Sequence, residues 1–198
     1  MIASRMRKLI YSMSLSLDGY ITGPDGTFDW SAPDEELHRF HNQRVAALGA
    51  QLLGRRLYET MLVWETQEWD NAVAIEFAEV WTALEKVVFS TTLDTVQGSA
   101  RLASAPIAEE VARLRAQPGG DIGVGGAGLA ASLIRLGLVD EYELFISPIV
   151  VGGGTPFFPA LEVPIDLELV ETRTFSSRVV FLHYRATAAP GSPPAAGY

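Results

Sequence analysis

The chain has 198 residues, 48% hydrophobic and 20% charged, enough apolar material for one full globular core. Its net charge of −9 argues against a nucleic-acid partner, because phosphate backbones are held by clustered Lys and Arg. The absence of cysteine removes disulfides, thiol chemistry and cysteine-based zinc sites, and no apolar run resembles a leader or a membrane span, so a cytoplasmic protein is expected.

Lys8 to Leu17 reads as a strand ended by Asp18-Gly19, with a brief extension at Tyr20 to Thr22 before the loop Gly23-Pro24-Asp25-Gly26. Ser31-Ala32-Pro33-Asp34 signals a helix start: Ser31 can cap, Pro33 suits the first helical position and Asp34 completes a capping box. The helix is expected to run to about Leu48, with Leu37, Phe40, His41 and Val45 at helical spacing. Gln51 to Leu53 is a short buried strand that meets Gly54, and Arg55-Arg56-Leu57 opens another helix. Val63 to Asn71, containing Trp64 and Trp69, reads as a loop; Ala72 to Glu85 is helical. Lys86 to Ser90 is a strand ending in the hydroxyl run Ser90-Thr91-Thr92, followed by a short strand near Leu102 and a helix from Pro106 to Ala116.

Ile122 to Val124 is a strand that turns through Gly125, Gly126, Ala127 and Gly128 into an amphipathic helix bearing Leu129, Leu133, Ile134 and Leu136. Tyr142 to Val151 is a long apolar strand that ends in Gly152 to Gly154. Leu167 to Phe175 and Arg178 to Thr187 form a terminal hairpin, and the tail, residues 188–198, is expected to be disordered. The alternation of strands and helices up to Thr187 predicts a single α/β domain, residues 1–187, with helices on both faces of a largely parallel sheet.

Ligands of such sheets sit at the carboxyl ends of strands. The junctions at Gly54, Ser90 and Gly125 are all of that kind, and a glycine turn into a helix presents unpaired N–H groups to an anion. A nucleotide phosphate is the natural occupant; a glycine turn used only for close αβ packing is the plainer alternative. Arg55 and Arg56 at a helix N-terminus suit a phosphate, including the extra phosphate of NADP, or else form a solvated pair or a salt bridge. Ser90, Thr91 and Thr92 can hydrogen-bond a ribose or phosphate, or serve simple turn chemistry.

Among the acids of the first helix turn, phase places Asp34 near the apolar stripe, Glu36 at its other margin and Glu35 away from it. A partly buried carboxylate there, with a raised pKa, would supply a proton. His38 and His41 stand at i, i+3, but no third ligand is near in sequence, so no metal is expected. Trp30 and the Trp64–Trp69 loop flank strand-end loops and are pocket candidates.

Five segments in this order resemble the dihydrofolate reductase-like superfamily. They are SLDGYI at Ser16 to Ile21, LGRRLYE at Leu53 to Glu59, VVFST at Val87 to Thr91, IGVGGAGL at Ile122 to Leu129, and SPIVVGGGTPFF at Ser147 to Phe158. The chain is most similar to the branch built like the C-terminal reductase domain of the bifunctional riboflavin-biosynthesis deaminase/reductase. The resemblance implies a three-layer α/β fold with a twisted mixed sheet of about eight strands and NADPH across the sheet's carboxyl edge.

By matched position it implies that Gly54, Arg55, Arg56 and Leu57 hold phosphates, Ser90 and Thr91 line the adenosine ribose and its 2′-phosphate, and Gly125, Gly126, Ala127, Gly128 and Leu129 cradle the pyrophosphate. Ser14 and Ile21 would flank the nicotinamide. A substrate pocket would draw on Trp30, Phe40, Trp64, Ser147 and Thr155. The pterin enzymes carry one carboxylate four residues before a pocket phenylalanine. Counting back from Phe40 gives Glu36, counting forward from Trp30 and Pro33 gives Glu35, and helical phase prefers Glu36, with Asp34 or water as other proton sources.

The loop GYITGPDGTFDW differs from the pterin enzymes, which points to a substrate other than dihydrofolate. The expectation is an NADPH-dependent reductase acting on a small planar C=N or C=O compound, pyrimidine- or pterin-like, either the riboflavin-pathway substrate or a different one. The competing expectation is a nucleotide-binding sensor or scaffold without turnover. A homodimer through the antiparallel end of the sheet is also expected.

Overall fold

A computed structural model describes residues 5–187; the expected disordered tail, 188–198, lies outside the described residues. Eight strands form one sheet: β1 (Leu9–Ser16), β3 (Leu48–Gly54), β4 (Lys86–Phe89), β5 (Ala100–Leu102), β6 (Asp121–Gly125), β7 (Glu141–Ser147), β9 (Leu167–Thr174) and β10 (Val180–Ala186). Two short strands, β2 (Tyr20–Thr22) and β8 (Thr155–Pro156), pair separately. The helices are α1 (Glu35–Ala46), α2 (Arg55–Met61), α3 (Val63–Thr66), α4 (Ala72–Ala83), α5 (Ile107–Arg115) and α6 (Ala127–Arg135).

The sheet order is β5-β4-β3-β6-β1-β7-β10-β9. Every pairing from β5 to β7 is parallel, and β10 runs antiparallel to both of its neighbours. This is the mixed α/β sheet expected from the sequence, with β9 as an exposed edge.

Side chains alternate across each strand, and the two faces are filled differently. On one face Leu9, Tyr11 and Leu15 of β1, Leu52 of β3, Val124 of β6 and Leu144 of β7 pack against Val111 and Leu114 of α5 and Leu129, Leu133 and Ile134 of α6. On the other face the apolar core is split. Leu53 and Val88 pack under Tyr58 of α2 and Phe77 and Trp81 of α4. Phe145 and Phe181 pack under Leu37 and Phe40 of α1, with Phe175 and Val179 closing the cluster.

Three local expectations are corrected. The N-cap of α1 is Asp34, whose Oδ1 accepts from the Leu37 N–H at 2.9 Å, whereas Ser31 ends a short 3-10 turn and donates its hydroxyl to the Phe28 carbonyl. The stretch expected as a loop after Val63 begins with one helical turn, α3, because Val63 to Thr66 continues directly from the end of α2. The strand expected from Tyr142 to Val151 stops at Ser147: Pro148 lacks an N–H, and Asp18 captures the N–H groups of Val151 and Gly152 at 3.1 and 2.7 Å.

Candidate functional site

The three strand ends singled out in the sequence belong to β4, β3 and β6, which are adjacent in the sheet and parallel, so their carboxyl ends meet at one edge. Gly54 is the N-cap of α2, and Gly126, at φ 94, is the N-cap of α6. Neither cap receives a side-chain hydrogen bond, so the first N–H groups of both helices are left for a ligand or solvent. The junctions touch: a Cβ on Gly126 would lie 3.7 Å from Leu57 Cβ and 4.0 Å from the Gly54 nitrogen.

The glycines here do different things. A side chain on Gly125 would collide with Leu57, so that glycine serves close packing. A Cβ on Gly128 would meet nothing within 4 Å, although Gly is a poor helix residue. The packing of the fold does not require glycine at Gly128, and the surface there is open.

Arg55 donates to Thr92 Oγ1 at 3.1 Å and lies 3.6 Å from Glu59, which ties the start of α2 to the loop after β4. Arg56 is exposed and makes no ion pair among the described residues. Ser90 Oγ accepts from the N–H groups of Thr92 and Leu93, each at 3.1 Å, so its hydroxyl also closes a turn; Thr91 beside it is exposed.

From this edge a cleft of about 1570 Å³ runs beneath α1. It exists because the middle of the sheet carries small side chains on this face. Ser12 and Ser14 of β1 and Gly123 and Gly125 of β6 lie between the two apolar clusters, and α1 bridges the gap above them. All of the residues expected to hold cofactor line this cleft: Ser14, Ile21, Gly54, Arg55, Arg56, Leu57, Ser90, Thr91 and Gly125 to Leu129. Trp64 and Thr155 also line it. Trp64 is stacked on Trp69 at 4.1 Å, and Thr155 is fixed by a 3.0 Å hydroxyl contact with Thr22.

Other expected residues are placed elsewhere. Phe40 is buried among Phe145, Phe175 and Phe181, and Ser147 is buried at the end of β7. Trp30 sits in the 3-10 turn outside the cleft lining. The two candidate acids turn away from the cleft toward the β9–β10 turn. Glu36 accepts from the Ser176 N–H at 2.9 Å and hydroxyl at 2.7 Å, and from Arg173 at 3.1 Å. These hydrogen bonds hold its carboxyl below the usual glutamate range, opposite to the raised value a proton donor needs. Asp34 combines its capping bond with a 3.1 Å contact from Ser176 Oγ.

The cleft beneath α1 is lined instead by residues the sequence did not single out as substrate contacts: His38, His41 and Arg44 of α1, Gln51 of β3, and Glu141, Glu143 and Phe145 of β7. The signal for Glu141 and Glu143 was present as alternation within β7, where both fall on the face opposite Tyr142 and Leu144. His41 packs on Phe145 at 4.3 Å, and burial, with a smaller contribution from His38, pushes its pKa down to about 4. His38 is lowered as well, mainly by burial. Both rings are therefore neutral at pH 7 and offer one donor and one acceptor nitrogen each.

No helix among the described residues is long and apolar enough to cross a membrane. Residues 7–181 match the model of the RibD C-terminal domain family. An uncharacterized protein of Bacillus subtilis, YyaP, is 36% identical over 183 residues, covering 91% of this chain and 95% of that one. Among solved structures, the diaminohydroxyphosphoribosylaminopyrimidine deaminase/5-amino-6-(5-phosphoribosylamino)uracil reductase of Thermotoga maritima superposes with a TM-score of 0.67 at 15% identity, over 93% of this chain and 58% of that one. Dihydrofolate reductase from Enterococcus faecalis, in complex with NADP(H), superposes with a TM-score of 0.60 at 16% identity, over 91% of this chain and 97% of that one.

Proposed function

Because the chain belongs to the RibD C-terminal domain family, we propose that it is an NADPH-dependent reductase of a small planar C=N or C=O compound, pyrimidine- or pterin-like. The observation that carries this reading is the convergence, at one end of a single cleft, of two helix N-termini without side-chain caps, the unobstructed Gly128 and Arg56, which has no ion-pair partner among the described residues. That end has the donors a dinucleotide diphosphate needs, and Arg55 and Arg56 can read a 2′-phosphate.

NADPH, when bound, supplies a hydride. Ser14 and Ile21 would flank its nicotinamide, and the floor of β1 under α1 would hold the acceptor ring face to face with it. Phe145 and His41 form one wall of that space. Reduction of a C=N or C=O bond adds one hydride to carbon and one proton to nitrogen or oxygen. Since Glu36 and Asp34 are engaged with Ser176, solvent water delivers the proton.

The test is titration of the purified protein with NADPH and NADH, by calorimetry or by tryptophan fluorescence, for which Trp64 in the cleft wall is a natural reporter. Micromolar NADPH binding with a clear preference over NADH supports the proposal, and no binding of either removes it. The outward-facing acids favour a second reading, a nucleotide-binding protein without turnover. NADPH binding without oxidation against a broad panel of C=N and C=O compounds would select it.

A further inference from the structure

The far end of the cleft, beneath α1, is polar and laced with ion pairs. Glu143 and Glu141 project into it from β7, each with a side chain only 3% exposed. Glu143 is ion-paired through Oε1 with Arg44 of α1. Glu141 is paired with Lys8, with Arg185 at 3.1 Å and with His183 at 2.9 Å. Arg5 is taken up by Asp121 at 2.7 Å. Every lysine and arginine lining this end is thus committed to a carboxylate among the described residues.

Several polar groups in the same floor have no protein partner. Glu143 Oε2 accepts no hydrogen bond among the described residues, and neither do the hydroxyl of Ser12, its register partner on β1, and the Gln51 carboxamide make any. Gly123 leaves the space over which the Gln51 amide lies. Polar groups that line a cleft and have no protein partner are where a ligand's own polar edge can complete the pairing.

Resting on the reductase reading, we propose that Arg44 and Glu143 are specificity-determining residues that admit an uncharged, non-phosphorylated ring bearing adjacent N–H and C=O groups and reject its phosphorylated form. Glu143 Oε2 accepts the ring N–H, and Arg44 and Ser12 donate to the carbonyl. A phosphate that engaged Arg44 would draw it away from Glu143, which has no other ion-pair partner among the described residues, and leave that buried charge uncompensated. This separates the chain from the Thermotoga relative, whose name specifies a phosphoribosylamino-uracil.

Uridine and uridine 5′-monophosphate are matched probes, because they share the ring and differ by the phosphate. Binding of each to the wild-type protein, with and without saturating NADPH, is expected to favour uridine at least tenfold. Glu143→Gln keeps the shape and an acceptor but frees the charge of Arg44, so the preference should shift toward the monophosphate by tenfold or more. The variant's melting temperature and NADPH affinity report that it is folded. Equal or tighter binding of the monophosphate by wild type, no uridine binding, or an unchanged preference in a folded Glu143→Gln protein overturns the proposal. The NADPH titration on the same samples is independent: if it fails, the reductase reading falls, whereas the nucleoside preference still reports on Arg44 and Glu143.

Discussion

Glu36 and Ser176 lie 140 residues apart, yet a single oxygen of Glu36 takes both the N–H and the hydroxyl of Ser176, at 2.9 and 2.7 Å. The second oxygen meets Arg173, whose guanidinium also lies 5.1 Å from the Phe40 ring centroid. The first turn of α1 is thereby fastened to the β9–β10 turn. Glu36→Gln is expected to lower Tm by a few degrees and to leave NADPH affinity and turnover within about twofold of wild type. A large loss of turnover in a folded Glu36→Gln protein, with its pH profile altered, would return this residue to the chemistry.

Arg55 and Arg56 separate two kinds of cofactor recognition. If they read a 2′-phosphate, replacing both with Ala weakens NADPH by about tenfold or more and leaves NADH nearly unchanged. Parallel titrations of the two cofactors measure this. Equal losses for both would remove the assignment.

Gly126 and Gly128 give a paired test of why glycine is present. Gly126→Ala forces a side chain onto a φ of 94 and should cost about 1–2 kcal/mol in urea unfolding. Gly128→Ala meets open space and replaces a poor helix former, so stability should be unchanged or rise by up to about 1 kcal/mol. Its NADPH affinity should nevertheless fall, because the added methyl occupies the surface the ligand needs. Unaltered affinity in Gly128→Ala would return that turn to plain packing.

His41 sets the acid side of the stability profile. Its pKa in the folded protein is about 4, below the unfolded value near 6.5, so between those values the unfolded chain binds more protons. The stability contribution is full above pH 6.5 and is lost as pH falls toward 4, by roughly 2–3 kcal/mol. Urea unfolding at pH 7 and pH 4.5 should show this loss, and His41→Leu should flatten most of it. Carboxylates with lowered values, such as Glu141 and Glu110, add their own losses at lower pH.

Much of the fold was legible because glycine and proline punctuate it. Gly54 and Gly125 mark strand-to-helix turns, and the alternation of strands and helices between them implies a largely parallel sheet. The cleft's mouth was legible for the same reason, since carboxyl ends of parallel strands must face one edge. The floor under α1 was not. Alternation puts Glu141 and Glu143 on one face of their strand, but which face of the sheet that is depends on register with β1 and β10. Nor could the acids of α1 be assigned, because their orientation is decided by Ser176 and Arg173, which no local pattern connects to Glu36.

The order of strands carries a consequence for how the chain comes together. β1 pairs with β6 on one side and β7 on the other, as in Leu9 with Ile122 and Ser14 with Phe145. β1 therefore waits for partners made more than a hundred residues later in the chain. Until α5, β6 and α6 are in place, Leu9, Tyr11 and Leu15 lack most of the surface that covers them, and the alternating apolar segment stands open to wrong partners. The same strand lines the cleft, so the cleft's floor cannot form before β6 and β7 have been made.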